Sequence, residues 1–96
     1  MKKQFYVFFY HWGNSYQVWV EDQNGYEVWW NEDGKLIVDR DFQRGNAYNG
    51  GNTEILGLFR RKAEVETALA LVDARIQQWE KEDRDFFAEM IRQREA

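Results

Sequence analysis

The chain contains no cysteine, which removes a disulfide framework, a thiolate nucleophile and cysteine-ligated zinc, and which fits a reducing compartment. It has a single histidine, His11, and a single serine, Ser15. No acid lies close enough in sequence to orient the imidazole, and the strand pattern turns His11 inward as a satisfied core-edge residue. The usual set of nucleophile, base and orienting group is therefore missing, and no enzyme is expected. No apolar run approaches the roughly 20 residues that a membrane helix needs. Met1-Lys2-Lys3 is followed by an aromatic stretch without a small-residue cleavage site, so no secretory leader is expected and the cytoplasm is the expected location. Basic residues are the minority, 13 Lys and Arg against 17 Asp and Glu for a net charge of −4, which argues against a general polyanion binder. Walker and dinucleotide fingerprints are absent, and no cofactor or metal is implied.

What is present is a patterned single domain, residues 1–96, with length for one core and little more. From Gln4 to Asp39 apolar and polar residues alternate with a period of two, in runs rich in Val, Tyr, Phe and Trp. This predicts four strands at 4–12, 15–22, 26–31 and 35–39, joined by short turns into an antiparallel meander. Gly25 and Gly34 each close a three-residue loop, which pairs Asp22 with Tyr26 and Asn31 with Lys35. Residues 40–52 carry clustered glycine and asparagine and no period, and read as a loop. Ile55 to Phe59 is either a fifth short strand or an irregular lead-in, broken by Gly57. From Arg60 onward there is neither glycine nor proline, which predicts a helix over about 60–94. The expected fold is α+β, a four-stranded antiparallel β-meander with a long C-terminal helix packed on one face (ββββα).

Register places the side chains in rows. With Gly13-Asn14 as a two-residue turn, one face carries Phe5, Val7, Phe9, Val18, Val20, Val28, Leu36 and Val38 and must lie under the helix. The other face carries an acid row, Tyr6–Glu21–Glu27–Asp39, beside an aromatic row, Phe8–Trp19–Trp29–Ile37. Directly opposed like charges are destabilising, so the acid row has three functional readings besides tolerated repulsion. It is a cation site, a carboxylate pair with one raised pKa, or a negative patch for a basic partner. The aromatic row reads as the centre of a protein interface, as a platform for stacking bases, or as a surface covered by the 40–59 segment. Replacing Glu21 and Glu27 by lysine is expected to abolish partner binding and to relieve repulsion. The expected partner-binding set is Tyr6, Phe8, Trp19, Glu21, Glu27, Trp29 and Asp39.

Positive charge gathers elsewhere. Arg40 and Arg44 in the loop and Arg60, Arg61 and Lys62 at the helix start form a candidate anion or nucleic-acid patch, with Glu64 and Glu66 offsetting part of the charge. The helix holds a heptad seam, Val65, Leu69, Val72, Ile76, Trp79, Asp83, Phe86 and Met90, at strict four-three spacing. At ~1.5 Å per residue such a helix is about 50 Å long, against about 27 Å for an eight-residue strand. Its second half must overhang the sheet or fold back on it near residues 80–85. The apolar residues left over predict a symmetric antiparallel homodimer through Ile76, Trp79, Phe86, Phe87, Met90 and Ile91.

Three resemblances follow from these features. Leu56-Gly57-Leu58-Phe59 with Ala63-Glu64-Val65-Glu66-Thr67-Ala68-Leu69 resembles the strand-to-helix junction of AP2-like and integrase arm-binding DNA domains, although the sheet here is acidic where theirs is basic. The order ββββα resembles the PC4, Whirly and PUR class of single-strand binders, which implies an aromatic platform for single-stranded nucleic acid or a nucleotide. Small size, acidity and lack of cysteine look like phage-type inhibitors of host defence of the anti-CRISPR and anti-restriction class. The leading expectation is a non-enzymatic protein that binds and blocks a macromolecular partner, a protein or a protein–nucleic acid complex, through the acidic–aromatic face.

Overall fold

A computed structural model describes residues 3–45 and 51–95. Five strands precede one helix: β1 (Phe5–Trp12), β2 (Ser15–Asp22), β3 (Glu27–Trp30), β4 (Leu36–Asp39), β5 (Thr53–Phe59) and α1 (Lys62–Glu95). The first four form the expected meander, and β5 returns to pair antiparallel with β1, giving the order β4-β3-β2-β1-β5. The class is α+β as the sequence predicts, with five strands in place of four.

The turns set the register by one repeated piece of chemistry. Asp22 Oδ1 accepts the N–H groups of Asn24 and Tyr26, and Asn31 Oδ1 accepts those of Asp33 and Lys35. Each loop closes through Gly25 (φ 82°) or Gly34 (φ 77°), in the left-handed region that favours glycine. The backbone then pairs Asp22 N–H with Tyr26 C=O and Asn31 N–H with Lys35 C=O, both at 2.9 Å. All eight pairs of β1 with β2, from Phe5–Asp22 to Trp12–Ser15, fall in the expected register.

Strand β5 escaped the period-two pattern because it is bulged. Its pairing with β1 slips between Phe5 and Val7, and Gly57 there has φ 62°. A Cβ on Gly57 would lie 2.7 Å from Cζ of Phe59. The bulge lets Leu56 and Phe59 both pack against the core.

The β3–β4 hairpin departs from a flat row. The one bridge between β2 and β3 is Glu21 with Glu27. Beyond it the hairpin twists away from β2, so Trp30 meets Phe5 edge-on at 5.2 Å and Lys62 at the helix start approaches Gly34. Trp19 and Trp29 therefore do not continue one ladder, whereas Trp29–Ile37 and Glu27–Asp39 pair as expected.

The core lies between the sheet and the first half of α1: Phe5, Val7, Phe9, Val20 and Val28 against Val65, Ala68 and Val72. Glu64 caps the helix, its Oε1 accepting the N–H groups of Arg60 and Arg61 at 3.1 Å each, as an acid three residues into a helix does. Ile76 and Trp79 still pack on this core. From Glu80 onward every described residue is exposed, the helix runs on unbroken, and the molecule reaches 64 Å in its longest dimension. The overhang expected from the length mismatch is present, and no fold-back occurs at residues 80–85.

Candidate partner-binding surface

The sheet face away from α1 is where the acid and aromatic rows lie. The segment after β4 passes over it and changes its character. Arg44 donates from Nη2 to Glu21 Oε1 at 2.6 Å and from Nε to Glu21 Oε2 at 2.9 Å. Trp19 Nε1 donates to the same Oε2 at 2.7 Å. Glu21 is only 2% exposed, and the Arg44 guanidinium lies 4.3 Å over the Phe8 ring, which itself stacks on Trp19 at 5.4 Å. The result is a layered plug of arginine on phenylalanine with a saturated carboxylate beside it. Bidentate pairing of this kind is the strong form of the interaction.

This corrects two expectations. Glu21 is not an exposed member of a repelling row, because Arg44 neutralises it and closes it off from solvent. Arg44 is in turn not part of a free basic patch; Glu21 engages its guanidinium and raises its pKa further. Arg40, Arg60, Arg61 and Lys62 remain exposed, but they follow opposite edge strands, β4 and β5. Lys62 also faces Glu66 at 3.6 Å.

Among the described residues, those left open on this face beside the plug include Glu27, Asp39 and Trp29. Glu27 and Asp39 are directly opposed, and among the described residues neither has a cationic partner. Burial, then the Asp39 carboxylate, then that of Glu21 hold the Glu27 carboxyl above its ordinary value. Trp29 is 45% exposed beside them. Where β3 parts from β2, a cleft of about 190 Å³ is lined by Gln17, Val18, Trp19, Glu27 and the 42–45 segment, including Phe42. One carboxylate, two aromatic side chains and the Glu21-paired Arg44 thus line a space the size of a side chain. Tyr6 is half-buried at the margin, its hydroxyl donating to Gln4 Oε1 at 3.4 Å.

Residues expected at a dimer interface divide in two. Ile76 and Trp79 pack within their own chain; Trp79 stacks on Phe9 at 5.8 Å and meets His11 edge-on at 5.2 Å. They are core residues because β1 extends to Trp12 and supports the helix that far. Phe86, Phe87, Met90 and Ile91 are exposed.

One cluster was invisible in the sequence. His11 Nε2 lies 2.8 Å from Glu54 Oε2, and Arg75 clamps the same carboxylate from Nη1 and Nη2 at 3.2 and 2.9 Å. Arg75 also lies over the Phe9 and Trp79 rings. The acid that orients His11 comes from β5, 43 positions away in the chain, and only the register of a bulged strand could have revealed it. The Arg75 hydrogen bond, ahead of that from His11, holds the Glu54 carboxyl below its ordinary value. The cluster ties β1, β5 and α1 together. Comparison with protein-family models, with curated proteins and with solved structures gives no match.

Proposed function

We propose that this chain is a non-enzymatic interaction protein that binds a basic macromolecular partner through Glu27, Asp39 and Trp29 and the adjoining cleft, and blocks the partner's own contacts by occupying them. The observation that carries the reading is the opposed Glu27–Asp39 pair, which forms no ion pair among the described residues, the nearby Arg44 being engaged by Glu21, and which sits next to a half-exposed tryptophan. Opposed like charges cost stability, and a lysine or arginine from a partner removes that cost on binding while its stem packs on Trp19 or Phe42. Stacking of bases is disfavoured by the same geometry, because Arg44 occupies the Phe8 ring and the remaining open charge is negative. Small acidic inhibitors of host defence, which the chain resembles in size and charge, fit such a mode of action.

The test is retention of proteins from the source cell on immobilised wild type and on Glu27→Lys with Asp39→Lys. A discrete protein held by the wild type and lost by the variant, with the variant's melting temperature maintained, supports the reading. The same proteins held by both would sink it.

A further inference from the structure

The helix tail beyond the sheet is independent of the partner surface and has its own unpaired chemistry. Phe86, Phe87 and Ile91 are 63%, 57% and 57% exposed and Met90 37%. With aromatic side chains of roughly 150–250 Å² each, this leaves on the order of 400 Å² of contiguous apolar surface per chain, the size of the largest, often functional, patch on a monomer. Asp83, Phe86, Phe87, Met90 and Arg94 fall on the side of α1 that packs on the sheet lower down, since they continue the spacing of Val72, Ile76 and Trp79. The uncovered stripe therefore faces the space just past the β1–β2 turn. A groove of about 400 Å³ opens there, lined by Asn14, Tyr16, Glu80, Asp83, Arg84 and Phe87. Its potential is negative on the Tyr16 side: burial, then Asp83 and Glu80 hold the Tyr16 hydroxyl above its ordinary pKa.

Part of the charge on the tail is satisfied within the helix. Lys81 pairs with Asp85, Gln78 with Glu82, and Arg92 with Glu89. Among the described residues, Glu80, Asp83 and Arg84, which line the groove, and Arg94 and Glu95 at the helix end form no ion pair, so the acids outnumber the one cation in the groove. We infer that the tail packs antiparallel against the tail of a second copy, with Phe86 opposite Met90 of that copy and Arg94 entering the groove beside Glu80 and Asp83. In an antiparallel pair with Phe86 opposite Met90, Arg94 comes level with Glu82, within one turn of both unpaired acids, and the contact repeats by symmetry. A parallel pair would instead set Asp83 against Asp83 and Arg94 against Arg94. Burying both apolar stripes with the stems of the flanking charged residues approaches the roughly 1,200 Å² at the low end of stable interfaces.

The experiment is sedimentation equilibrium of the full chain over about 1–100 µM, where a weak dimer is concentration-dependent. The wild type is expected to rise toward twice 11.7 kDa, and Phe86→Glu with Met90→Glu to stay at 11.7 kDa with unchanged circular dichroism. Those positions lie outside the core, so the fold survives the change. Arg94→Glu is expected to weaken the dimer ~tenfold, and adding Glu80→Arg and Asp83→Arg to it to restore the wild-type constant. A monomer mass throughout, a dimer untouched by the Phe86 and Met90 changes, or a triple variant no stronger than Arg94→Glu would each overturn the arrangement.

Discussion

Replacing Arg44 by alanine should unfold this protein far more readily than a surface change has any right to. Glu21 is 2% exposed, and in the variant its carboxylate keeps only the Trp19 Nε1 donor of the three described here. Breaking a buried pair by removing one partner costs about 3–5 kcal/mol, because the other charge is left uncompensated. Arg44 itself is 32% exposed on its side chain, so water can follow it in, and the lower end, about 3 kcal/mol, is the expected loss. The guanidinium over Phe8 adds a smaller cation–π contribution of about 0.5–1 kcal/mol. At roughly 4–8 °C per kcal/mol for a domain of this size, a total of about 3.5–4 kcal/mol should lower the melting temperature by about 14–32 °C. The assay is thermal and urea denaturation of wild type, Arg44→Ala, Glu21→Leu and the double variant. The double variant should recover most of the loss, since replacing both members of a buried pair by apolar groups is often neutral. An Arg44→Ala variant within about 0.5 kcal/mol of wild type would refute the reasoning, since that is the range of ordinary surface substitutions.

Two further outcomes follow from the geometry. Glu27 has a raised folded-state pKa, so its ionisation costs stability above that value and the cost is relieved as pH falls through it toward the ordinary value of 4.5. Glu27→Gln should therefore raise the unfolding free energy at pH 7 by less than about 1 kcal/mol, given its partial exposure, and give no gain near pH 3.5; an equal gain at both would contradict the assignment. Gly57→Ala should destabilise by about 1–3 kcal/mol in urea denaturation, since a left-handed φ of 62° and a 2.7 Å approach to the Phe59 ring act together.

The strands, turns and helix were legible because local chemistry fixes them. The two Asx-glycine loops determine the meander register by themselves, and the apolar period of 65–79 determines which helix face meets the sheet. The overhang needed only a length comparison. What stayed hidden depends on contacts made across long stretches of chain. A period-two scan loses β5 at Gly57, and with β5 goes Glu54, the partner of His11 and Arg75. The acid row was readable as a row, but its electrostatics were not. Nothing near Arg44 in sequence says that it lies over Glu21, so the lysine substitution expected to relieve repulsion there would instead place a second cation against Arg44 in a buried site. Glu27 and Asp39, whose pairing is local to one hairpin, stand opposed as the register predicts. The division of the seam at Trp79 was also hidden, because periodicity does not say where the sheet beneath a helix ends.

The proposal that the acidic–aromatic face is a binding surface is tested most directly by titrating an identified partner against wild type and against Glu27→Lys with Asp39→Lys, by calorimetry at two salt concentrations. The variant is expected to bind at least about a hundredfold more weakly, and wild-type affinity to fall with added salt, as close charge pairs across an interface require. Equal affinity of the two proteins, unmoved by salt, would contradict it.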